Sequence, residues 1–359
     1  MNVLVVRSLR AGYGDVVVLD GFDLELAEGE GLALLGPSGS GKTTLLHCIA
    51  GFVTPTAGSV SIDGRVVASP EVDVAPERRP VAMVFQHYAL WPHLRAWENV
   101  AFPLRRQGRS ASEARREALE LMERLGIGRL ADRRPAELSG GQQQRVGLAR
   151  ALARDARLFL FDEPTAHLDT ELRIAVQEEI ADRRRQAGAA AVYATHDAAE
   201  ALAVADRVAL VRDGRVAQSG TPRDVYERPV DLWAARLTGP ASVVDLVVAV
   251  AGHPATVEVA GRTLPLRLGG AVGPGRYRAV VRPEWVHLGG GLPGSVTAVW
   301  YRGSYTDYRL ATPVGILEAR ALGAPRRRVG DRVGVTLERA WVVASIAARR
   351  AGRAATGAE

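Results

Sequence analysis

The stretch from Gly31 to Gly51, GLALLGPSGSGKTTLLHCIAG, constrains the fold more than any other part of this chain. An apolar run of strand length leads into a loop of Gly36, Pro37, Ser38, Gly39, Ser40 and Gly41. Lys42, Thr43 and Thr44 then open a helical run. This is G-x-x-x-x-G-K-[ST] in the strand–loop–helix context that the pattern requires. The three glycines let the backbone wrap closely around phosphates without Cβ clashes. The amides of residues 39–44, with the start of the helix, form a concave nest of donors for an anion. Lys42 reaches the β- and γ-phosphates, and Thr43 can place its hydroxyl on Mg²⁺. These residues bind a nucleoside triphosphate.

Composition sharpens the point. Lys42 is the sole lysine in 359 residues, and the other 45 basic side chains are arginine. A planar guanidinium does not fit where a compact ammonium does, so this position keeps the one lysine. Apolar (47%) and charged (24%) contents are those of a folded soluble protein. No window approaches the roughly 18 consecutive apolar residues of a membrane span. The start, MNVLVVRSLRAGYGD, does not read as a signal peptide. The single cysteine, Cys48, fits a reducing compartment and reads as a small buried apolar residue. A cytoplasmic location is expected. The net charge of +6 is uneven: residues 1–240 hold 30 basic and 32 acidic side chains, residues 241–359 hold 16 and 8. An arginine-rich C-terminal third suits an anionic partner or plain solubility.

Residues 1–240 alternate buried strands with helical patterns, as a largely parallel α/β sheet does. Strands are predicted at 31–36, 81–86, 157–164 and 190–197, and helices at 42–51 and 110–125, the latter with Ser112 as N-cap. Hairpins are predicted at 59–67, around Asp63-Gly64, and at 207–220. Beyond residue 240, short alternating runs rich in valine, glycine and proline predict a small β-barrel or sandwich. The last residues, ARRAGRAATGAE, read as a frayed tail.

Two further segments carry chemistry. RLFLFDEP ends in Asp162-Glu163. An aspartate at the end of a strand neighbouring the glycine-rich loop can hold Mg²⁺ through water, and Glu163 can polarise an attacking water as general base. In ELSGGQQQRVGLARALARD, Ser139, Gly140 and Gly141 open a helix at Gln142. That helix N-terminus is a second anion site. It has no use beside the first in one chain, but facing another subunit's loop it would close over the γ-phosphate.

LSGGQ between an upstream P-loop and a downstream LFLFDEP resembles the ATP-binding cassette (ABC) ATPases over residues 1–240. The resemblance implies an α/β P-loop NTPase fold with a RecA-like core and a helical subdomain at about 87–155. It also implies roles for further positions. Tyr13 stacks on adenine, Gln86 touches Mg²⁺ and senses the transport partner, and His196 grips the γ-phosphate. Asp169 links the two sites of a dimer, and Arg133 reaches the partner-bound nucleotide. His167 departs from the small or polar residue usual beside Asp169. ATP and Mg²⁺ are then held between two copies: one gives the P-loop, Asp162, Glu163 and His196, the other Ser139 to Gln142.

HYALWPHLRAWENVAFPL, after Gln86, is similar to the importer branch of the family, where this region receives a helix of a membrane subunit. The β-rich third, with VRPE and GSYTDYRL, resembles the OB-like (TOBE) C-terminal domain of those importers. The expected organisation is a nucleotide-binding domain at 1–238, an OB-like regulatory domain at 239–348 and a flexible tail at 349–359. The implied function is the ATPase subunit of an importer, a homodimer on the cytoplasmic face of the cell membrane. Its partners are a permease and, indirectly, an extracytoplasmic solute-binding protein. Ferric iron is the expected solute, with polyamines and sulfate as alternatives. A soluble ABC ATPase acting on ribosomes or nucleic acid is the alternative of another class. One P-loop, no coiled-coil insertion and no row of stacking aromatics in the barrel argue against it. A switch that binds ATP without hydrolysing it is the remaining alternative, opposed by Glu163.

Overall fold

The computed structural model describes residues 1–85, 89–164, 177–178, 181–182, 188–252, 254–270 and 272–345. Met1–Pro222 and Arg223–Glu359 form separate compact units.

The first unit opens with two long strands, β1 (Asn2–Tyr13) and β2 (Val16–Ala27). Strand β3 (Gly31–Leu35) then leads through the glycine-rich loop into helix α1 (Lys42–Ala50). A hairpin of β4 (Ala57–Ile62) and β5 (Arg65–Ala68) turns at Asp63-Gly64, as predicted, both residues with positive φ. After β6 (Val81–Val84) come α2 (Ala96–Arg106), α3 (Ala111–Arg124) and α4 (Gly140–Leu152). Then follow β7 (Leu158–Asp162), β8 (Ala190–Thr195), α5 (Ala198–Val204) and the hairpin of β9 (Arg207–Arg212) and β10 (Arg215–Gly220).

The central sheet has the order β10-β9-β3-β8-β7-β6, parallel except for the β10 edge. The expected parallel sheet is thus present. A second sheet, β2-β1-β4-β5, is wholly antiparallel, and apart from its β4–β5 hairpin it went unforeseen. The period-2 geometry of strands explains how one sheet serves two cores. In β7, Leu158 and Leu160 point into the core shared with α1 and the antiparallel sheet, whereas Phe159 and Phe161 point into the core of α2, α3 and α4. Phe161 stacks on Tyr193 of β8 at 5.0 Å, and both are buried.

Two local expectations change. The N-cap of α3 is Ser110, not Ser112: Ser110 with Glu113 makes the reciprocal capping box that S-x-x-E spacing allows. Helix α4 starts at Gly140, with Ser139 as N-cap. Gln142 is its third residue and closes the same kind of box.

In the second unit, β11 (Ser242–Val250), β12 (Ala255–Val259), β13 (Arg262–Gly269) and β14 (Gly275–Val281) join β19 (Arg339–Ser345) in a closed barrel. A parallel β13–β19 pair closes it. Strands β15 (Val286–Tyr301), β16 (Tyr305–Thr312), β17 (Gly315–Leu322) and β18 (Arg332–Leu337) form a separate antiparallel sheet in the order β17-β16-β15-β18. The small all-β region is therefore a five-stranded barrel with a companion sheet. The units part at Pro222/Arg223, ahead of the expected boundary at 238. Fully buried Arg282 explains why residues 226–240 go with the barrel. It donates to the carbonyls of Tyr226, Ala235, Gly239 and Pro240 and to the Thr238 hydroxyl.

Candidate active site

The carboxyl ends of β3, β7 and β8 lie along one edge of the parallel sheet, the edge where such sheets bind ligands. The glycine-rich loop rises from β3. Gly39 and Gly41 have φ of +79° and +104°, which side chains resist. A Cβ on Gly36 would stand 2.4 Å from the Val211 carbonyl, and one on Gly41 2.7 Å from Leu19. The spacing of glycines is thus enforced by close packing as well as by phosphate.

Lys42 is buried, and its ammonium donates to the carbonyls of Gly36 (2.8 Å) and Pro37 (3.0 Å) and to Ser40 Oγ (3.5 Å). Burial lowers its pKa, against the pull of Glu163 and Asp162. The Thr43 hydroxyl donates to Asp162 Oδ1 over 3.1 Å. Asp162 is not on the strand next to β3, as expected, because β8 stands between them. It still reaches Thr43 because α1 begins above the strand ends. Burial raises the Asp162 pKa, with the Thr43 bond opposing, so this carboxylate lies where a cation is welcome. A hydroxyl and a carboxylate oxygen at a phosphate seat fit Mg²⁺, which takes few protein ligands and completes its shell with phosphate and water. Among the described residues there is no cluster of three or more His, Cys, Asp or Glu side chains of the kind that cages a metal alone.

Glu163 has φ +50°, the left-handed region, at a strain on the order of 1–3 kcal/mol for a residue with a side chain. Its amide donates to the Ala194 carbonyl (2.9 Å), and its Oε1 lies 2.8 Å from His196 Nδ1. His196 follows directly on β8. The next turn is fixed by Thr195 Oγ1, which donates to Glu200 Oε2 over 2.5 Å, and by Asp197, which caps α5 through the amides of Ala199 and Glu200. Glu163, expected as general base, and His196, to which the family resemblance gives the γ-phosphate, thus stand side by side.

The other site residues are dispersed. Tyr13 is half exposed, its hydroxyl 3.2 Å from Nδ1 of His47 on α1. Burial lowers the His47 pKa, with Asp162 opposing. Ser139 and Gly140 are exposed, and Arg133, also exposed, lies 3.7 Å from Glu137. Gln86, Asp169 and His167 lie outside the described residues.

Two features escaped sequence reasoning, and a third was anticipated only in part. Gln144, in the second turn of α4, is buried and donates to the Pro164 carbonyl over 2.7 Å. Arg79, also buried, donates to the Cys48 and Ile49 carbonyls at the end of α1 and to Asp73. A groove of about 720 Å³ is lined by Phe52, Phe85, Trp91, Phe102, Arg150 and Arg154, among others. Trp91 packs 4.5 Å from Phe102 and beneath the Arg150 guanidinium (4.9 Å), which donates to the Ala89 carbonyl. Burial pushes the Arg150 pKa down to about 10. The aromatic signal of this segment was visible in sequence; its arginine, contributed by α4, was not.

A lysine-bearing phosphate loop on a parallel sheet, with a Thr–Asp pair and a Glu–His pair beside it, defines a P-loop ATPase. The model of the ABC transporter family matches residues 19–166, and that of the TOBE domain matches 279–344. The spermidine/putrescine import ATP-binding protein PotA of Acidothermus cellulolyticus is 44% identical over 359 aligned residues, covering 94% of this chain and 91% of that protein. The Fe(3+) ions import ATP-binding protein FbpC 1 of Rhizobium meliloti is 40% identical over 321 residues, covering 88% and 89%. Among solved structures, a dimeric ATP-binding cassette in a post-hydrolysis state with ADP and Pi superposes with a TM-score of 0.56. It shares 33% identity and covers 61% of this chain and 99% of that one. The chain belongs to the ABC transporter family, as an ATP-hydrolysing subunit of the importer type with a C-terminal TOBE domain.

Proposed function

We propose that this subunit works as a homodimer on the cytoplasmic face of the cell membrane, powering a separate permease. The Glu163–His196 pair, 2.8 Å apart beside the Thr43–Asp162 pair, is the observation that carries the catalytic part. On ATP binding, the Lys42 ammonium exchanges loop carbonyls for β- and γ-phosphate oxygens. Thr43 and, through water, Asp162 would hold Mg²⁺, and the family resemblance gives Gln86 a role toward the same ion; the ion would neutralise phosphate charge when bound. Glu163 orients and deprotonates the attacking water, while His196 holds the carboxylate and the γ-phosphate. Positioning and charge stabilisation supply most of such catalysis. Tyr13 takes the adenine.

Ser139, Gly140, Gly141 and Gln142 serve the nucleotide of the other copy, with Arg133 beside them and Asp169 at the dimer loop. The exposure of Ser139 and Gly140 at the N-terminus of α4 supports this assignment. The groove of Trp91, Phe102 and Arg150 receives the permease. Among the described residues no helix is long and apolar enough to cross a membrane. An extracytoplasmic binding protein would deliver the solute. That solute is a small cation, ferric iron or a polyamine, in keeping with the relatives named for each.

Pull-down of tagged Glu163→Gln protein with ATP from detergent-solubilised native membranes tests this reading. A multi-span permease is expected in the eluate. Ribosomes or nucleic acid instead would overturn it.

A further inference from the structure

We infer that Gln144 is a positioning residue for Glu163, tying the signature end of α4 to the catalytic carboxylate of the same chain. The inference rests on the proposed role of Glu163 as general base. Glu163 is held in left-handed backbone, a conformation that persists only where its surroundings enforce it. Three contacts do so. On the amino side, the Glu163 amide is tied to Ala194. At the side chain, Oε1 is tied to His196. On the carboxyl side, Pro164 follows, and its carbonyl accepts the Gln144 side-chain amide over 2.7 Å. Proline at 164 favours extended backbone at the residue before it, so it opposes the left-handed Glu163 and adds to the strain these contacts must offset. Without Gln144 the carboxyl side of the turn has no anchor from α4.

The bond is buried at both ends. Gln144 is 3% exposed and Pro164 is buried, so water does not replace a lost donor. Gln144 Oε1 has no partner among the described residues. The amide is therefore held at this place by its donor alone, although an orphan acceptor is unfavourable. An apolar side chain of the same size would avoid that cost; what it would lose is the hold on Pro164. Gln144 lies five residues after Ser139, so a shift of the α4 N-terminus is transmitted to the Pro164 carbonyl and thence to Glu163.

The test uses the full-length protein and two replacements of similar size. Gln144→Leu and Gln144→Met each remove the donor together with the orphan acceptor, at similar volume. Each is expected to lower kcat about tenfold with KM for ATP changed less than about twofold, the effect of one buried hydrogen bond felt at the reacting carboxylate. In a Glu163→Gln background the same replacements should leave the residual turnover unchanged, since nothing remains to be positioned. Additive losses in that background, an unchanged kcat, or a raised KM at constant kcat would each overturn the inference. If one replacement lowers thermal stability below assay temperature, the other carries the cycle. ATP-dependent dimerisation of Glu163→Gln, followed by size exclusion, is read separately. Its absence would sink the two-copy site while leaving the Gln144 cycle to stand on kcat.

Discussion

Two helices of this protein begin with glycine-rich turns suited to anions, and they end up in opposite condition. The start of α1 is walled in: Lys42 is buried, Gly36 and Gly41 are packed against neighbouring backbone and side chain, and two carboxylates stand close by. The start of α4 is open: Ser139 and Gly140 are exposed, and their capping box engages only their own turn among the described residues. A helix N-terminus offers an anion the same dipole in either place. The difference lies in what surrounds it, and under the proposed function it separates a complete phosphate seat from half of one.

The largest expected effect lies at the complete seat. Lys42→Arg should lower kcat at least about hundredfold and weaken ATP binding, since the guanidinium cannot occupy the ammonium's place. Fluorescent-nucleotide titration with turnover assays reads both. Next comes Ser139→Arg at the open helix. Turnover should fall to background while ATP affinity stays within about threefold, because a single chain already holds the whole nucleotide seat. A large loss of binding would erase the contrast between the two helices.

The smallest effect concerns His47, which bridges α1 and Tyr13. Its folded pKa lies below its ordinary value of 6.5, so the unfolded chain takes up the proton first. Stability is therefore full above about pH 6.5 and falls as pH drops from there toward the depressed folded value. The contribution is small, because solvent screens a half-buried group. His47→Gln should flatten the pH dependence of thermal unfolding in that window by this small amount.

What sequence revealed follows the same division. The phosphate loop, Asp162, Glu163 and the start of α4 were legible because close approach to phosphate allows few residue types, at fixed spacing. The S-x-x-E of Ser110 and Glu113 marks a capping box, a stronger local signal than the Ser112 expected as N-cap. Beyond its β4–β5 hairpin, the antiparallel sheet was not legible, because β1 pairs with β4 through contacts some fifty residues apart that leave no local pattern. Nor was the parallel closure of the barrel by β19 on β13. Gln144 and Arg79 act on carbonyls 20 and 31 residues away, and a carbonyl has no sequence signature. The strain at Glu163 is equally silent, for nothing in DEP announces a left-handed glutamate.

A working site, as proposed, needs the walled helix of one copy and the open helix of another. Mixing Ser139→Arg chains with Glu163→Gln chains tests it most directly, each alone being nearly inactive. In a mixed dimer, one site combines an intact P-loop and Glu163 with an intact Ser139. The mixture is therefore expected to hydrolyse ATP well above the sum of its two components. Activity that stays at that sum would contradict a site shared between copies.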